Sequence, residues 1–243
     1  MNRLGLIGKN LSHSFSKTYF ENKWETEKIN GYTYDLFEIE DIAAIQDLFQ
    51  TENLLGLNVT VPYKEAVLPF LTNLDSSAQY VGAVNVIKVT ASEIIGYNSD
   101  YYGFERSLEN WNVLNGIDNC LVLGTGGASK AVVAVLKNMN KNVQCVSRTP
   151  LEDNVTYQDL RALQLRNYQL IVNTTPVGMY PKIDFAPEIP YDQITANHCL
   201  FDLVYNPEET EFMKWGKKRG AKVKNGLEML HLQAERSWQI WTS

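Results

Sequence analysis

Cysteine is scarce in this chain, with three residues in 243: Cys120, Cys145 and Cys199. An odd, scattered set has neither metal-ligand spacing nor the count of a disulfide framework. In apolar runs, as at Cys120 and Cys145, a buried free thiol is the expected reading. Long apolar runs are missing too. The longest, residues 131–136, is far short of the roughly 20 residues that span a bilayer, and the apolar stretch 4–8 lacks the length of a signal-peptide core. Basic charge is not in excess. Lys and Arg number 22 against 28 Asp and Glu, a formal net charge of −6, which is the wrong sign for a non-specific nucleic-acid binder. The chain has no internal repeat, low-complexity segment or long linker. These absences leave the expectation of a cytoplasmic globular protein. Its 44% apolar and 21% charged residues are close to the soluble average, and its length allows one large domain or two modest ones.

Strand-like and helix-like segments alternate along the first hundred residues. Strands are predicted at 4–8, 32–37 and 55–60, with two more at 84–89 and 93–97. Phe15, Tyr19, Phe20 and Trp24 fall at helical spacing, as do Ile42, Ile45, Leu48 and Phe49. Pro62 suits the first turn of a helix over 61–71. The alternation implies an α/β fold. A helix over 102–111 leads into a second unit. There a strand at 120–123 runs into Gly124-Thr-Gly-Gly-Ala-Ser129, followed by a helix over 130–138. Further strands are predicted at 143–147, 170–173, 200–204 and 222–224, with a helix ending near 219 and a helical tail over 226–241.

Strand, glycine-rich turn and helix together let backbone amides and a helix N-terminus hold a pyrophosphate. Gly124 permits the tight turn, and Gly126 lets the backbone approach the phosphates. Ser129 stands where a third glycine is usual. The next strand bears on the cofactor. NAD sites place an acid about 20 residues after the glycines, whereas here the strand ends in Ser147-Arg148-Thr149. The forked cation of arginine suits a 2′-phosphate, so NADP is favoured, with Glu152 and Asp153 close enough to oppose it. An ordinary surface arginine is the alternative.

In the first half, Ser12-His-Ser-Phe-Ser16 can bind a carboxylate or simply cap a helix. Asn58 and Thr60 lie on one face of a strand, and Lys64 follows in the next helical turn. Lys64, at a helix N-terminus that disfavours an ammonium, can be a perturbed lysine or an ordinary solvated one. Asp100, at the end of Gly96-Tyr-Asn-Ser-Asp100, can pair with Lys64 or cap the next helix. Gly82-Ala-Val-Asn85 ends in another polar group at a strand end, where α/β sheets bind ligands. His198 and His231 read as structural or surface histidines.

Taken together these segments resemble the shikimate dehydrogenase family, from Gly5 to Trp238. The resemblance is carried by Ser12–Ser16, Asn58-Val-Thr-Val-Pro-Tyr-Lys64, Gly82–Asn85, Asp100, Gly124–Ala128, Asn173-Thr-Thr-Pro-Val-Gly-Met179, Asp202-Leu-Val-Tyr-Asn-Pro207 and Gly226-Leu-Glu-Met-Leu-His-Leu-Gln233. Val86 and Ser99 replace common threonines, Ser147 replaces an asparagine, and the Arg148 loop carries a single arginine. The resemblance implies an α/β substrate-binding catalytic domain (1–102 with 225–243) and a Rossmann-like NADP-binding domain (103–224), with a cleft between them. It implies reversible NADPH-dependent reduction of 3-dehydroshikimate to shikimate, a step toward chorismate and the aromatic amino acids. The catalytic pair would be Lys64 and Asp100. Ser14, Ser16 and Tyr205 would hold the substrate carboxylate, and Thr60, Asn85, Asp100 and Gln233 the ring hydroxyls. Gly124, Thr125, Gly126, Gly127, Ala128, Ser147, Arg148 and Thr149 would hold NADP(H), with Leu203 and Gly226 near the nicotinamide. No metal, nucleic acid or membrane is implied, and a homodimer is compatible. The rivals are a quinate/shikimate dehydrogenase of broader specificity and a non-catalytic metabolite sensor on the same fold.

Overall fold

The computed structural model describes residues 1–11, 14–150 and 154–243. The chain forms two compact units, Met1–Tyr102 with Gln233–Ser243, and Gly103–Leu232. The predicted division at 224/225 differs from this by eight residues. Those residues pack with the second unit because Glu228 accepts hydrogen bonds from Ser107 (3.1 Å) and Asn110 (2.7 Å) and pairs with Lys224.

The first unit contains β1 (Asn2–Gly8), α1 (Phe15–Glu27), β2 (Tyr32–Glu38), α2 (Ile45–Leu48), β3 (Leu54–Val59), α3 (Tyr63–Ala66), β4 (Asn73–Leu74), α4 (Ser76–Val81), β5 (Val86–Val89) and β6 (Ile94–Tyr97). Its sheet order is β2-β1-β3-β5-β6-β4. β1 runs parallel to β2 and β3, while β5 is antiparallel to β3 and β6. Alternation puts Leu4 and Leu6 in a core with Phe20, Trp24 and Tyr34, and Ile7 in another with Leu57, Val59 and Ile87. The predicted helix over 61–71 is broken into α3 and a 3-10 turn, Leu68–Phe70. Pro69 has no N–H to bond the carbonyl four residues back. β4 and α4 lack a strong apolar period and were not legible.

The second unit contains β7 (Asn119–Leu123), β8 (Asn142–Ser147), β9 (Asn154–Thr156), β10 (Leu170–Asn173), β11 (Cys199–Asp202) and β12 (Lys222–Lys224), with α6 (Gly127–Asn138) and α7 (Glu211–Lys218). The strand expected over 200–204 ends at Asp202. The sheet, β12-β11-β10-β7-β8-β9, is parallel throughout. β7 and β10 are buried along almost their whole length, as strands covered on both faces must be. Cys120 lies in this core, where burial pushes its thiol up to about 12, so it stays protonated and unreactive. Cys145 is half-buried. His198 is buried against Thr195 and the Leu165 carbonyl, a structural histidine. The chain passes between units inside α5 (Ser99–Trp111) and α8 (Leu227–Thr242). No helix among the described residues is long and apolar enough to cross a membrane.

The C-terminal part of α8 closes the first unit over β3. Gly56 has no side chain there, and a Cβ would stand 2.3 Å from Trp241 Nε1. That nitrogen donates to the Ile87 carbonyl at 2.9 Å. One turn earlier, Ser237 Oγ accepts from Asn58 Nδ2 at 3.1 Å. Four helical residues rise about 6 Å and two strand residues about 6.6 Å, so the two ladders stay in step, running in opposite directions. The same stepping carries Gln233 toward the Thr60 end of the strand.

Candidate functional site

In the first unit, topology gathers the polar residues at one sheet edge. Ser14 and Ser16 follow β1, Thr60 follows β3, and Asp100 follows β6. Asn85 precedes β5, which runs the other way and so begins at that same edge.

Asp100 is buried, 3% exposed. Its Oδ2 accepts from Lys64 Nζ at 2.6 Å and its Oδ1 from Asn85 Nδ2 at 2.9 Å. A buried carboxylate needs such partners, because desolvation otherwise disfavours its charge. Asp100 does not cap α5. Asn98 does, with its Oδ1 accepting from Tyr101 N at 3.0 Å. Asn85 is pinned in turn, since Ser99 N donates to its Oδ1 at 2.6 Å and its Nδ2 also reaches Ser99 Oγ at 3.1 Å. Both amide hydrogens are thereby committed to Asp100 and Ser99, and Oδ1 keeps one lone pair beyond the bond from Ser99 N.

The network continues through residues that the sequence did not single out. Ser99 Oγ lies 3.5 Å from Ser237 Oγ, which donates to the Gln233 carbonyl at 2.9 Å. Asn58 Nδ2 donates to Ser237, and Asn58 Oδ1 accepts from the Tyr34 hydroxyl at 2.7 Å. Burial raises the Tyr34 phenol far above its ordinary range, and the Ser16 hydroxyl bonds to it. Polar groups thus run from Lys64 to Ser16 without a break. Ser14 caps α1, its Oγ accepting from Lys17 N at 3.4 Å. The cap and the carboxylate readings of this serine are compatible, because an accepting hydroxyl can still donate. Ser12 and His13 lie outside the described residues. The spacing of Asn58 and Thr60 was the one available signal for Asn58. Nothing local marks Tyr34 or Ser237, whose roles depend on partners distant in sequence.

In the second unit every predicted residue ends or follows a parallel strand, so all share one edge. β8 and β9 lie on one side of β7, and β10 returns to the other. This reversal is where open α/β sheets bind ligands. Gly124 has φ +107°, open to glycine, and a Cβ there would stand 2.8 Å from Thr174 Oγ1. Ser129 Oγ donates to the Gly124 carbonyl at 2.7 Å, so the residue in the third-glycine position ties the loop to its helix. Gly126 sits at the head of α6 with no side-chain cap, and a Cβ on it would meet nothing within 4 Å. Thr125 and Gly126 are exposed, and Gly127 and Ala128 half-buried. Uncapped N–H groups beside open space fit a pyrophosphate.

Ser147 is buried and uses its hydroxyl locally, accepting from Thr149 N at 3.0 Å and bonding the Thr149 carbonyl. It holds the turn that presents exposed Arg148. Glu152 and Asp153 lie outside the described residues. Beside this turn is a cavity of about 820 Å³ lined by Arg148, Thr156, Tyr157, Pro176, Lys182 and Phe185, among others, a size typical of ligand pockets. The adenosine end of a dinucleotide fits its mixture of apolar walls and cations.

Asp202, at the end of β11, is a second buried carboxylate. It accepts from Asn173 Nδ2 (2.9 Å), Val204 N (3.0 Å) and Thr210 Oγ1 (2.6 Å). Burial pushes it up to about 6, although these donors pull the other way. It fixes the turn through Leu203 and Val204. The Gly226 N–H donates to the Val204 carbonyl at 3.3 Å, and a Cβ on Gly226 would collide with the Leu203 carbonyl oxygen at 2.1 Å. Tyr205 follows, half-buried, its phenol raised by burial.

Residues 6–87 match the family model described as the shikimate dehydrogenase substrate binding domain. The shikimate dehydrogenase (NADP(+)) of Clostridium beijerinckii is 38% identical over 248 residues, covering 98% of this chain and 90% of its own length. Shikimate dehydrogenase 1 of Peptoclostridium difficile has a solved structure that superposes with a TM-score of 0.87 at 35% identity, over 100% of this chain and 92% of the other. Shikimate 5-dehydrogenase of Thermus thermophilus, solved in complex with NADP(H) and shikimate, gives 0.86 at 27% identity, over 100% and 94%.

Proposed function

The chain belongs to the shikimate dehydrogenase family, and we propose from that membership that it catalyses the reversible NADPH-dependent reduction of 3-dehydroshikimate to shikimate, in the route to chorismate and the aromatic amino acids. The observation that carries this reading is the Lys64–Asp100–Asn85 cluster, joined through side chains to Ser16 on the same sheet edge.

NADPH supplies the hydride to the ketone carbon. The protein supplies the proton and the geometry. Hydride arrival leaves negative charge on the former carbonyl oxygen, and Lys64 Nζ is the donor that neutralises it. Asp100 holds the ammonium at 2.6 Å and keeps one lone pair on each oxygen for a ring hydroxyl. In the oxidative direction Lys64 takes the proton back. Asn85 offers its free Oδ1 lone pair to a second hydroxyl, and Thr60 and Gln233 complete that set. Ser14, Ser16 and Tyr205 hold the carboxylate. Gly124–Ala128 and the head of α6 would hold the pyrophosphate, and Arg148 and Thr149 the 2′-phosphate, from the turn that Ser147 shapes. Leu203 and Gly226 would lie near the nicotinamide.

The same reading puts the enzyme in the cytoplasm, with a small-molecule substrate and no nucleic-acid or membrane partner. Sedimentation distinguishes monomer from homodimer. An intact Lys64–Asp100 pair supports an enzyme over a metabolite sensor. The test is a rate assay with shikimate and quinate, each with NADP and NAD. Shikimate with NADP is expected to be fastest. Faster turnover of quinate overturns the substrate assignment, and no turnover of either sinks the enzyme reading.

A further inference from the structure

The Arg148 cavity contains a second cation, contributed by a distant stretch of chain. Lys182 lies in the loop after β10 and lines the same space as Arg148, Thr156 and Tyr157. That loop is tethered. Tyr180 N donates to the Asn206 carbonyl at 3.1 Å, and Lys182 N to the Met179 carbonyl at 2.9 Å. Gly178, at φ +90°, turns the chain so that a Cβ there would stand 3.0 Å from the Phe185 carbonyl oxygen. The lysine stem therefore starts from a fixed turn. Neither Lys182 nor Arg148 has an ion-pair partner among the described residues. Among the described residues the lining has two cations, Arg148 and Lys182, and one acid, Glu188. Burial raises the Tyr157 phenol, with Arg148 lowering it and Glu188 raising it, so both charges act on the same wall of the cavity. With Glu188 in the same lining, a second cation adds to the attraction that Arg148 alone offers an anion.

Resting on the NADP reading above, we propose that Lys182 is a specificity-determining residue that shares the cofactor's 2′-phosphate with Arg148. The Arg148 turn holds only one arginine, and Lys182 supplies the second charge from the β10 loop. Arginine gives the phosphate a forked, oriented contact, and lysine adds a mobile point charge.

Calorimetric titration with adenosine 2′,5′-bisphosphate, NADPH and NADH tests this on wild type, Arg148→Ala, Lys182→Ala and Lys182→Arg. Arg148→Ala is expected to weaken both 2′-phosphorylated ligands roughly 10- to 150-fold. Lys182→Ala is expected to weaken them roughly 3- to 30-fold, to leave NADH unchanged, and to flatten the salt dependence of binding. Lys182→Arg restores affinity. A wild type that binds NADH as tightly as NADPH overturns the NADP reading, and the Lys182 assignment with it. A wild type that prefers NADPH, loses the preference with Arg148→Ala and keeps it undiminished with Lys182→Ala overturns the Lys182 assignment alone. Equal weakening of NADPH and NADH by Lys182→Ala also overturns it.

Discussion

Asp100 in the first unit has both carboxylate oxygens engaged by Lys64 and Asn85, and Asn85 is itself fixed by Ser99. At the head of α6 in the second unit, by contrast, Gly126 brings no side-chain cap and a Cβ there would enter open space. A group that must pass a proton in the transition state gains from being oriented in advance, since no reorganisation is then needed as charge develops. A group that binds a polyanion needs only donors and room, because the anion completes the hydrogen bonding. The two buried carboxylates repeat the contrast. Asp100 faces a cation, and Asp202 has only neutral donors.

The strongest way to break the first plan is Lys64→Ala. Loss of a general acid lowers kcat about 10²- to 10⁴-fold, while the shikimate KM moves far less. Steady-state kinetics decides it, and a change confined to KM removes Lys64 from the proton-donor role. Gly126→Ala probes the second plan. Its φ of −81° suits alanine, so thermal stability is expected to stay within about 0.5 kcal/mol. The methyl group enters the pyrophosphate's space and weakens NADPH roughly 5- to 150-fold. A stability loss with unchanged NADPH affinity would make the loop structural.

Asp202→Asn sharpens the difference between the carboxylates. The folded protein holds the Asp202 proton up to about pH 6, whereas the unfolded chain releases it near 3.9. The folded state thus binds more protons in that window. This residue's contribution falls as pH rises from about 4 to about 6 and is constant above, a loss of at most roughly 2–3 kcal/mol. Urea midpoints between pH 4 and 7 are expected to show a slope in wild type that is reduced in Asp202→Asn. The smallest effect is expected from Ser237→Ala, which removes a partner of Asn58 and Ser99. About 1 kcal/mol of stability is lost, and kcat falls a few-fold as the Asp100 end of the network loosens. An unchanged kcat would mean that the network beyond Ser99 serves folding only.

Much of the fold was legible because its strands are short apolar runs and its cofactor turn has glycine spacing. Lys64, Asp100 and Asn85 could be named separately, but their meeting could not be read from spacing. It follows from β5 running antiparallel between β3 and β6. Asn58 looked like a companion of Thr60 and proved to be a bridge, because its partners Tyr34 and Ser237 come from opposite ends of the chain. The helix over 61–71 failed at Pro69, a breaker plainly present that the apolar period masked. Lys182 carried no signal at all, since a lysine in a loop is ordinary until the cavity beside it is seen.

The docking of Trp241 against Gly56 also bears on how the protein is made. The second unit is one uninterrupted stretch, polymerised in full before residues 233–243 are added. The first unit begins earlier but waits for Trp238 and Trp241 to cover Phe20, Trp24 and Tyr34. At about 5–20 residues per second the wait lasts on the order of ten seconds. Throughout translation the half that is synthesised first carries an uncovered aromatic face, and it is the half finished last. The aromatic core of the N-terminal half therefore depends for its cover on α8, a segment translated only after the whole second unit.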